Sequence, residues 1–378
     1  MVIDLTVAEP LDSGSGAGSK RKHDAFVTAV SDVAPTDLCI YASDVAAIAG
    51  YNEHVDVGEL FDKYLYQGCE YLRYLDAAEL GLQVLTREEQ LQSVLAGMSN
   101  KEEIHEILKV KAGNKKAKVA GDIAAAVQEK IDDSSRKNEV KVQDLIVLSS
   151  LVSNTYKEFG TENERAVIDL YEAKTGHSVQ RLDRLLRISV YSDECVVSGA
   201  STCREGQTEA RPRAGEPLFQ IVGRVDGVSR QGGEQVVLEV KNRIRCVPSS
   251  PPLKDLIQLV VYLKMLGAQL GHLVQCVLGA DCDTLGVYAL DLRREPFHLE
   301  EFDRSVLPRL RTFSEAVLRT RANEGLRREW LEQDERWRLA AVLSSCAFLE
   351  EAVRRCSERL TALEQKVARD ANLTLPKE

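Results

Sequence analysis

Several features that would assign the chain to other classes of protein are missing from its sequence. No apolar run reaches the about 18 residues that indicate a membrane span, and the stretch Leu145–Val152 is typical of a buried helix instead. The nine cysteines include no CxxC pair, the spacing that zinc and iron–sulfur sites favour. We therefore expect no membrane partner, no iron–sulfur cluster, and cysteines that are buried free thiols in a reducing compartment.

The first residues also lack the features of a targeting segment. Met1–Val7 has no basic region followed by an apolar core, and it is acidic rather than arginine-rich. Residues 1–34 are rich in Gly, Ser, Ala and Asp, a composition that predicts a disordered tail. We expect an intracellular protein, in the nucleus or the cytoplasm, that is not secreted.

The composition provides for a substantial core and an acidic surface. Hydrophobic residues make up 44% and charged residues 29% of the 378 positions, which suits one large domain with appended segments or two small domains. The formal net charge of −10 counts mildly against a nucleic-acid binder. It does not exclude one, because a local basic groove can coexist with a negative total charge.

Apolar periodicity predicts an α/β (α+β) core between two mainly helical regions. Two short helices are expected within Ala42–Leu65, further helices over 86–157, and helices again over Leu299–Ala371. The central part predicts a helix, three strands, a helix and two strands, with the turn of a hairpin at Ser229–Glu234. These elements are expected at Glu162–Lys174, Leu185–Val197, Leu218–Val228, Gln235–Lys241, Leu253–Leu266, Leu273–Leu278 and Thr284–Leu290. The hairpin implies antiparallel neighbours and the crossover helix a parallel pair, so the sheet should be mixed.

Acidic side chains stand beside a lysine on these strands. Glu239 and Lys241 are two residues apart on an otherwise apolar strand and therefore point to the same face. The hairpin can bring Asp226 alongside them, and Glu164 on the preceding helix could complete the cluster. Carboxylates that hold one or two Mg²⁺ ions can position a water and stabilise charge on a phosphate. Lys241 would orient or help deprotonate the attacking water; the alternative is a structural Glu–Lys pair on a solvent face.

The helix that follows this strand carries a second polar pair. Gln258 and Tyr262 are four residues apart and so lie on one helix face, which the position of the helix would turn toward the carboxylates. The alternative is a surface glutamine beside a core tyrosine.

Taken together, these motifs resemble the PD-(D/E)xK nuclease superfamily and, more narrowly, the phage lambda-type exonuclease and YqaJ-like viral recombinase group. The resemblance rests on four segments in order: Gly160–Glu164 with Thr175-Gly176, Val225-Asp226-Gly227, Glu239-Val240-Lys241, and Gln258 with Tyr262. Val225 stands where the family has proline. Upstream, Tyr41–Gly50 resembles the Ala-Ser-Asp/Glu stretch by which such enzymes contact a DNA end.

The resemblance implies a restriction-endonuclease-like αβββαβ core and a set of site residues. It makes Glu164, Asp226, Glu239 and the Val240 carbonyl ligands of Mg²⁺ or Mn²⁺, one or two ions, with Glu162 as the substitute for Glu164. Lys241, Gln258 and Tyr262 would complete the catalytic set. DNA contacts are predicted for Ser43, where helix capping is an equal alternative, and for Arg243 and Lys254.

The same resemblance divides the chain and suggests its activity. Residues 35–85 would be the N-terminal helical part of the nuclease domain, 86–157 a helical insertion, 158–298 the core and 299–378 a C-terminal helical region. We expect an exonuclease that acts on linear duplex DNA ends in recombination, repair or DNA maintenance. The alternatives are an inactive nuclease fold that binds DNA or serves as a scaffold, a nuclease acting on RNA, and an iron–sulfur nuclease. The C-terminal helices could bind a protein partner or a second copy of the chain.

Overall fold

The computed structural model describes residues 38–110, 117–137, 139–182, 184–191, 217–279 and 283–370. The predicted disordered tail lies outside these residues. The chain forms two compact units. The first comprises Met1–Leu82, Asp183–Arg224 and Glu301–Glu350, and the second comprises Gln83–Leu182, Val225–Glu300 and Glu351–Glu378.

The first unit combines a small sheet with helices from both halves of the chain. Its strands are β1 (Cys39–Tyr41), β3 (Leu186–Val190) and β4 (Phe219–Gly223). Strand β4 lies in the middle of the sheet, parallel to β1 and antiparallel to β3. The helices are α1 (Val45–Ile48), α2 (Val57–Leu65), α3 (Glu70–Glu79), α10 (Leu307–Ala322), α11 (Glu324–Glu332) and α12 (Glu335–Ser345), with a π-helical turn at Phe302–Val306 and a 3-10 turn at Ala347–Leu349.

Aromatic packing and buried arginines hold this unit together. The ring of Phe61 on α2 contacts those of Phe313 and Trp330, with centroids 5.7 Å and 4.8 Å away. The buried Arg327 donates to both carboxylate oxygens of Asp76 at 2.7 Å and 3.1 Å. These contacts bury apolar faces of α10 and α11 inside their own unit, so the protein partner predicted for the C-terminal helices stays a prediction.

The second unit is built on a five-stranded mixed sheet and a crossover helix. Its elements are β2 (Val179–Gln180), β5 (Gly227–Gln231), β6 (Glu234–Asn242), α8 (Leu253–Leu266), β7 (Leu270–Val277) and β8 (Thr284–Asp291). The strand order is β2-β5-β6-β7-β8. A hairpin joins the antiparallel strands β5 and β6, and helix α8 crosses from β6 to the parallel strand β7. The hairpin turn contains Gly232 and Gly233 at φ 58° and 88°, a backbone region that glycine adopts without strain.

Helices cover this sheet and form a second core of their own. The helices are α4 (Arg87–Ala96), α5 (Lys101–Lys109), α6 (Ala117–Arg136), α7 (Val142–Thr175), α9 (Phe297–Glu301) and α13 (Glu350–Asp370). The C-terminal half of α7 packs Val167, Ile168 and Tyr171 against alternate residues of β6, among them Leu238 and Val240. The opposite face of β6 therefore carries Glu239 and Lys241, on the side where α8 packs.

The mixed α/β architecture predicted from periodicity is confirmed, with antiparallel and parallel pairs where they were expected. Helix α8 has the predicted bounds, and the two helices expected within Ala42–Leu65 are α1 and α2. The single strand predicted over Leu218–Val228 is wrong. The chain leaves the sheet of the first unit at Gly223 and enters that of the second at Gly227. The alternation of apolar and polar residues does not reveal this change, because it has the same two-residue period in both sheets.

Helix α7 is longer than the helix predicted at Glu162–Lys174. It runs without interruption from Val142 to Thr175 and ends at Gly176, whose φ of 72° lets the chain turn away. It crosses the boundary predicted at residue 157 between insertion and core. The second unit contains the predicted insertion and most of the predicted core, whereas Asp183–Arg224 of that core belongs to the first unit.

The cysteines differ in burial. Cys69, Cys276, Cys346 and Cys356 are buried as expected, whereas Cys39 is half-buried, Cys246 is exposed, and Cys195, Cys203 and Cys282 lie outside the described residues. Burial raises the pKa of Cys276 to about 11. Over the described ranges, no helix has the length and apolarity that crossing a bilayer requires.

Candidate active site

The register of the β5–β6 hairpin brings Asp226 to Glu239. Gly227 pairs with Leu238, so the residue before β5 lies opposite the residue that follows Leu238 on the antiparallel strand. The backbone N–H of Val240 donates to the Asp226 carboxylate at 2.6 Å, which holds this carboxylate against β6. The alignment predicted for Asp226 is therefore present in the second unit.

Glu239 is a buried carboxylate with one oxygen bound and one oxygen without a partner. Its side chain is 3% exposed, and its Oε1 lies 2.7 Å from the Lys241 Nζ. The other oxygen, Oε2, is buried and has no hydrogen-bond partner among the described residues. An unsatisfied buried carboxylate oxygen is costly, so it marks a position where a ligand is expected.

Helix α8 holds Lys241 from the other side. The Lys241 Nζ donates to the Gln258 Oε1 at 2.9 Å, and the Gln258 Nε2 donates to the Tyr262 hydroxyl at 3.2 Å. The two residues therefore share a helix face that lines the cluster, as their spacing predicted. Tyr262 is buried, as the alternative of a surface glutamine beside a core tyrosine also expected, but Gln258 is half-buried and bonded to Lys241 rather than exposed on the surface.

Burial governs the ionisation of Asp226 and Glu239. It raises the pKa of Asp226 to about 6, against the lowering effect of the Val240 N–H. Burial, together with the charge of Asp226, raises the pKa of Glu239 to about 8, and Lys241 offsets this only partly. Burial thus disfavours the ionised form of Glu239, and a cation bound at this place would favour it.

Lys241 stays charged despite its burial. Desolvation lowers its pKa, but the surrounding carboxylates, with Glu239 foremost, outweigh that effect and raise the pKa above its usual value. Burial and the charge of Glu239 likewise raise the pKa of Tyr262, which keeps its hydroxyl neutral. The site in the free protein is thus an ammonium beside buried acids.

Glu164 approaches the cluster from α7. It is half-buried, and burial raises its pKa, with Arg181 acting in the opposite direction and Glu239 in the same direction. The Arg181 Nη2 lies 3.6 Å from the Glu164 Oε2. Glu162, the alternative ligand, is exposed to solvent, so burial favours Glu164 of the two.

The donors present suit a hard cation that keeps most of its own ligands. In the parts of the chain that the structure describes, no three His, Cys, Asp or Glu side chains are grouped closely enough to hold a metal ion. Asp226 and Glu239 with its unpartnered Oε2 offer fewer protein ligands than that. Mg²⁺ is commonly bound by one or two carboxylates, with waters and substrate phosphates completing its shell, so this donor set fits.

The residues predicted to contact DNA have different surroundings. Arg243 is engaged within the protein: its Nη2 donates to Asp255 and to Gln275, both at 2.5 Å. The structure thus gives Arg243 a structural role, and a DNA contact by it stays a prediction. Lys254 is half-buried in the first turn of α8.

Ser43 belongs to the first unit and lies in the turn before α1. Its side chain is exposed, while Asp44 occupies the N-cap position of that helix. The capping alternative for Ser43 is therefore wrong, and its proposed phosphate contact stays a prediction.

Two residues near the cluster were not identified from the sequence. Asp255 is buried three residues before Gln258 on α8, and this helical spacing could have indicated it. Arg181 follows β2, a strand of two residues whose pairing with β5 depends on tertiary structure. No periodic signal in the sequence could have indicated that arginine.

Comparisons with known proteins leave this site without a family assignment. No protein-family model matches the chain, and no curated protein matches it. Among solved structures, one entitled "Crystal structure of SSO0001" is similar over 42% of this chain and 72% of its own, with 16% identity and a TM-score of 0.24. A similarity of this degree supports no inference about the fold core or the activity.

Proposed function

We propose that the second unit is a metal-dependent phosphodiesterase that hydrolyses DNA. The observation that carries the proposal is the buried Glu239, whose Oε2 has no partner while Asp226 and Lys241 lie beside it. Buried acids with strongly raised pKa values beside a fixed cation are costly to fold and are concentrated at functional sites.

Asp226 and Glu239 would hold the metal, and the resemblance implies the Val240 carbonyl and Glu164 as further ligands. Glu164 would have to move closer to the other two carboxylates than it lies in the structure, because no three acidic side chains of the described residues are grouped closely enough to hold an ion. Bound Mg²⁺ or Mn²⁺ would activate a water and neutralise charge on the attacked phosphate. A bound cation would favour the ionised form of Glu239, against the rise in its pKa that burial causes.

Lys241 would stabilise negative charge on the phosphate and orient the attacking water. Its raised pKa favours the ammonium form, which donates protons and attracts anions, over the amine that would act as a base. Gln258 holds the Nζ at 2.9 Å and is itself held by Tyr262, so the cation is positioned before substrate arrives. Loss of Gln258 should therefore misplace Lys241.

The choice of DNA, and of exonucleolytic action at duplex ends, rests on the resemblance of the four motifs rather than on the cluster. Phosphate chemistry is common to both nucleic acids, and the cluster offers no group that reads a base or a 2′-hydroxyl. Linear duplex DNA is accordingly the first substrate to test.

The test is cleavage of a linear duplex labelled at its 5′ or 3′ ends by purified protein in Mg²⁺, Mn²⁺ or EDTA. Single-stranded DNA, closed circular DNA and RNA of the same sequence serve as the other substrates. The proposal expects metal-dependent release of mononucleotides or short oligonucleotides from linear duplex, with the labelled end giving the polarity. Survival of every substrate in both metals would refute it and favour a DNA-binding or scaffold role.

Variants assign the activity to the cluster. Asp226→Asn should abolish cleavage, and Lys241→Ala should lower its rate by about 100-fold or more. Glu164→Gln should reduce it, while the matched control Glu162→Gln, two residues away on the exposed face of α7, should not. Activity retained in Asp226→Asn would mean that the cleavage comes from elsewhere in the chain or from a contaminant.

A further inference from the structure

Arg181 is brought to the carboxylate cluster by the pairing of strand β2 with strand β5. Strand β2 pairs with β5 so that Gln180 faces Val228, and Arg181 is the next residue along. At the facing position, a Cβ on Gly227 would lie 2.4 Å from the Val179 Cγ1. The absence of a side chain at Gly227 is therefore what allows β2, and with it Arg181, to lie beside Asp226.

The guanidinium of Arg181 is poorly bound by its protein partner. It lies 3.6 Å from Glu164, beyond hydrogen-bond distance, and its side chain is 46% exposed. An ion pair of this length and exposure contributes little to stability. Lys241, in contrast, is held by short contacts to Glu239 and Gln258.

We propose that Arg181 binds a nonbridging phosphate oxygen of the nucleic-acid strand at this site. The inference rests on the proposed function, since it requires that the cluster receives a phosphodiester. The contact between Arg181 and Glu164 is too long for a hydrogen bond, so the guanidinium can bind a phosphate without breaking one. The planar, exposed guanidinium then presents two parallel donors to the phosphate.

A purely structural role for Arg181 has different consequences. If the arginine only compensates the charge of Glu164, its loss changes metal binding or folding and leaves the affinity for DNA unchanged. If it binds phosphate, its loss weakens DNA binding and removes one released counterion from the association.

The experiment measures binding of a fluorescently labelled linear duplex by anisotropy, in EDTA and in Ca²⁺, across a series of salt concentrations. The variants are Arg181→Ala, Arg181→Lys and the control Arg165→Ala. Arg165 is an equally charged, exposed residue next to Glu164 in sequence, but it pairs with Asp169 at 2.8 Å. The control therefore changes the net charge by the same amount without touching the cluster.

We expect Arg181→Ala to raise the Kd by about tenfold or more, and to reduce the slope of log K against log salt by about 0.9. Arg181→Lys should recover part of the affinity, because it keeps the charge and loses the fork. Arg165→Ala should leave both quantities near those of the wild type. Urea unfolding and Mn²⁺ titration of each variant check folding and metal binding.

An unchanged Kd and slope in Arg181→Ala would overturn the inference, whether or not metal binding or folding is altered. Equal weakening by Arg165→Ala would also overturn it, because general charge would then explain the effect. Cleavage by the wild-type protein is a separate readout. If the wild type binds DNA through Arg181 but cleaves nothing, the proposed function fails while the phosphate contact stands.

Discussion

Replacement of Glu239 by glutamine should make the metal-free protein more stable at alkaline pH. The side chain is 3% exposed, and the pKa of its carboxyl rises from 4.5 to about 8 on folding. A carboxyl whose pKa is raised in the folded state stabilises the fold at pH values below its pKa in the unfolded chain. This contribution is lost as the pH rises through its pKa in the folded state. The loss should therefore begin near pH 4.5 and be complete above about pH 8.

The magnitude follows from the width of this interval. At about 1.4 kcal/mol for each pH unit, ionising Glu239 inside the fold removes on the order of 5 kcal/mol from the free energy of unfolding. The glutamine variant keeps the shape of the side chain and has no proton to lose. Its unfolding free energy should decline less between pH 5 and 9, with the remaining decline due to Asp226, whose pKa is about 6.

The assay is urea unfolding at several pH values in EDTA, for the wild type and Glu239→Gln. Circular dichroism should follow the transition, because both tryptophans, Trp330 and Trp337, belong to the first unit and Glu239 to the second. Mg²⁺ should reduce the alkaline decline of the wild type, since a bound cation favours the ionised carboxylate. Parallel pH profiles, or a glutamine variant that is the less stable at pH 9, would refute the reasoning and show that the ion pair with Lys241 outweighs burial.

The other predictions concern catalysis and the close strand pair. Lys241→Ala should lower the single-turnover rate of cleavage by about 100-fold or more while the protein stays folded. Gln258→Leu should lower this rate less, because Lys241 remains but is less well held. Equal losses in the two variants would contradict this order. Gly227→Ala should cost about 1–3 kcal/mol in urea unfolding, and a second change, Val179→Ala, should recover most of it by removing the Cγ1 that the new methyl would meet. Gly271→Ala, where the nearest atom is the flexible end of Leu259 at 2.9 Å, should cost less; a cost equal to that of Gly227→Ala would contradict the account of β2.

Local signals in the sequence identified most of the cluster. The Gly232-Gly233 turn and the two-residue period of the strand predicted that Asp226, Glu239 and Lys241 would meet, and the register of the hairpin brings this about. Helix α8 was bounded correctly because proline precedes it and Gly267, at φ 62°, ends it.

The features that the sequence did not reveal all depend on contacts distant along the chain. The change of sheet between Gly223 and Gly227 keeps the same alternation, so it leaves no trace in the apolar pattern. Arg181 acquires its place through a two-residue strand, which is too short for periodicity to detect. Arg243 has the charge that a DNA contact requires, and only the fold shows that its guanidinium donates hydrogen bonds to Asp255 and Gln275.

A metal-dependent hydrolytic centre is tested most directly by the single-turnover rate of duplex cleavage as a function of Mn²⁺ concentration, for the wild type and Asp226→Asn. We expect a rate that saturates with metal, that is absent in EDTA, and that is lost in the variant although its circular dichroism spectrum is unchanged. Cleavage that persists in EDTA, or that survives in a folded Asp226→Asn protein, would contradict the claim that these carboxylates form a metal-dependent hydrolytic centre.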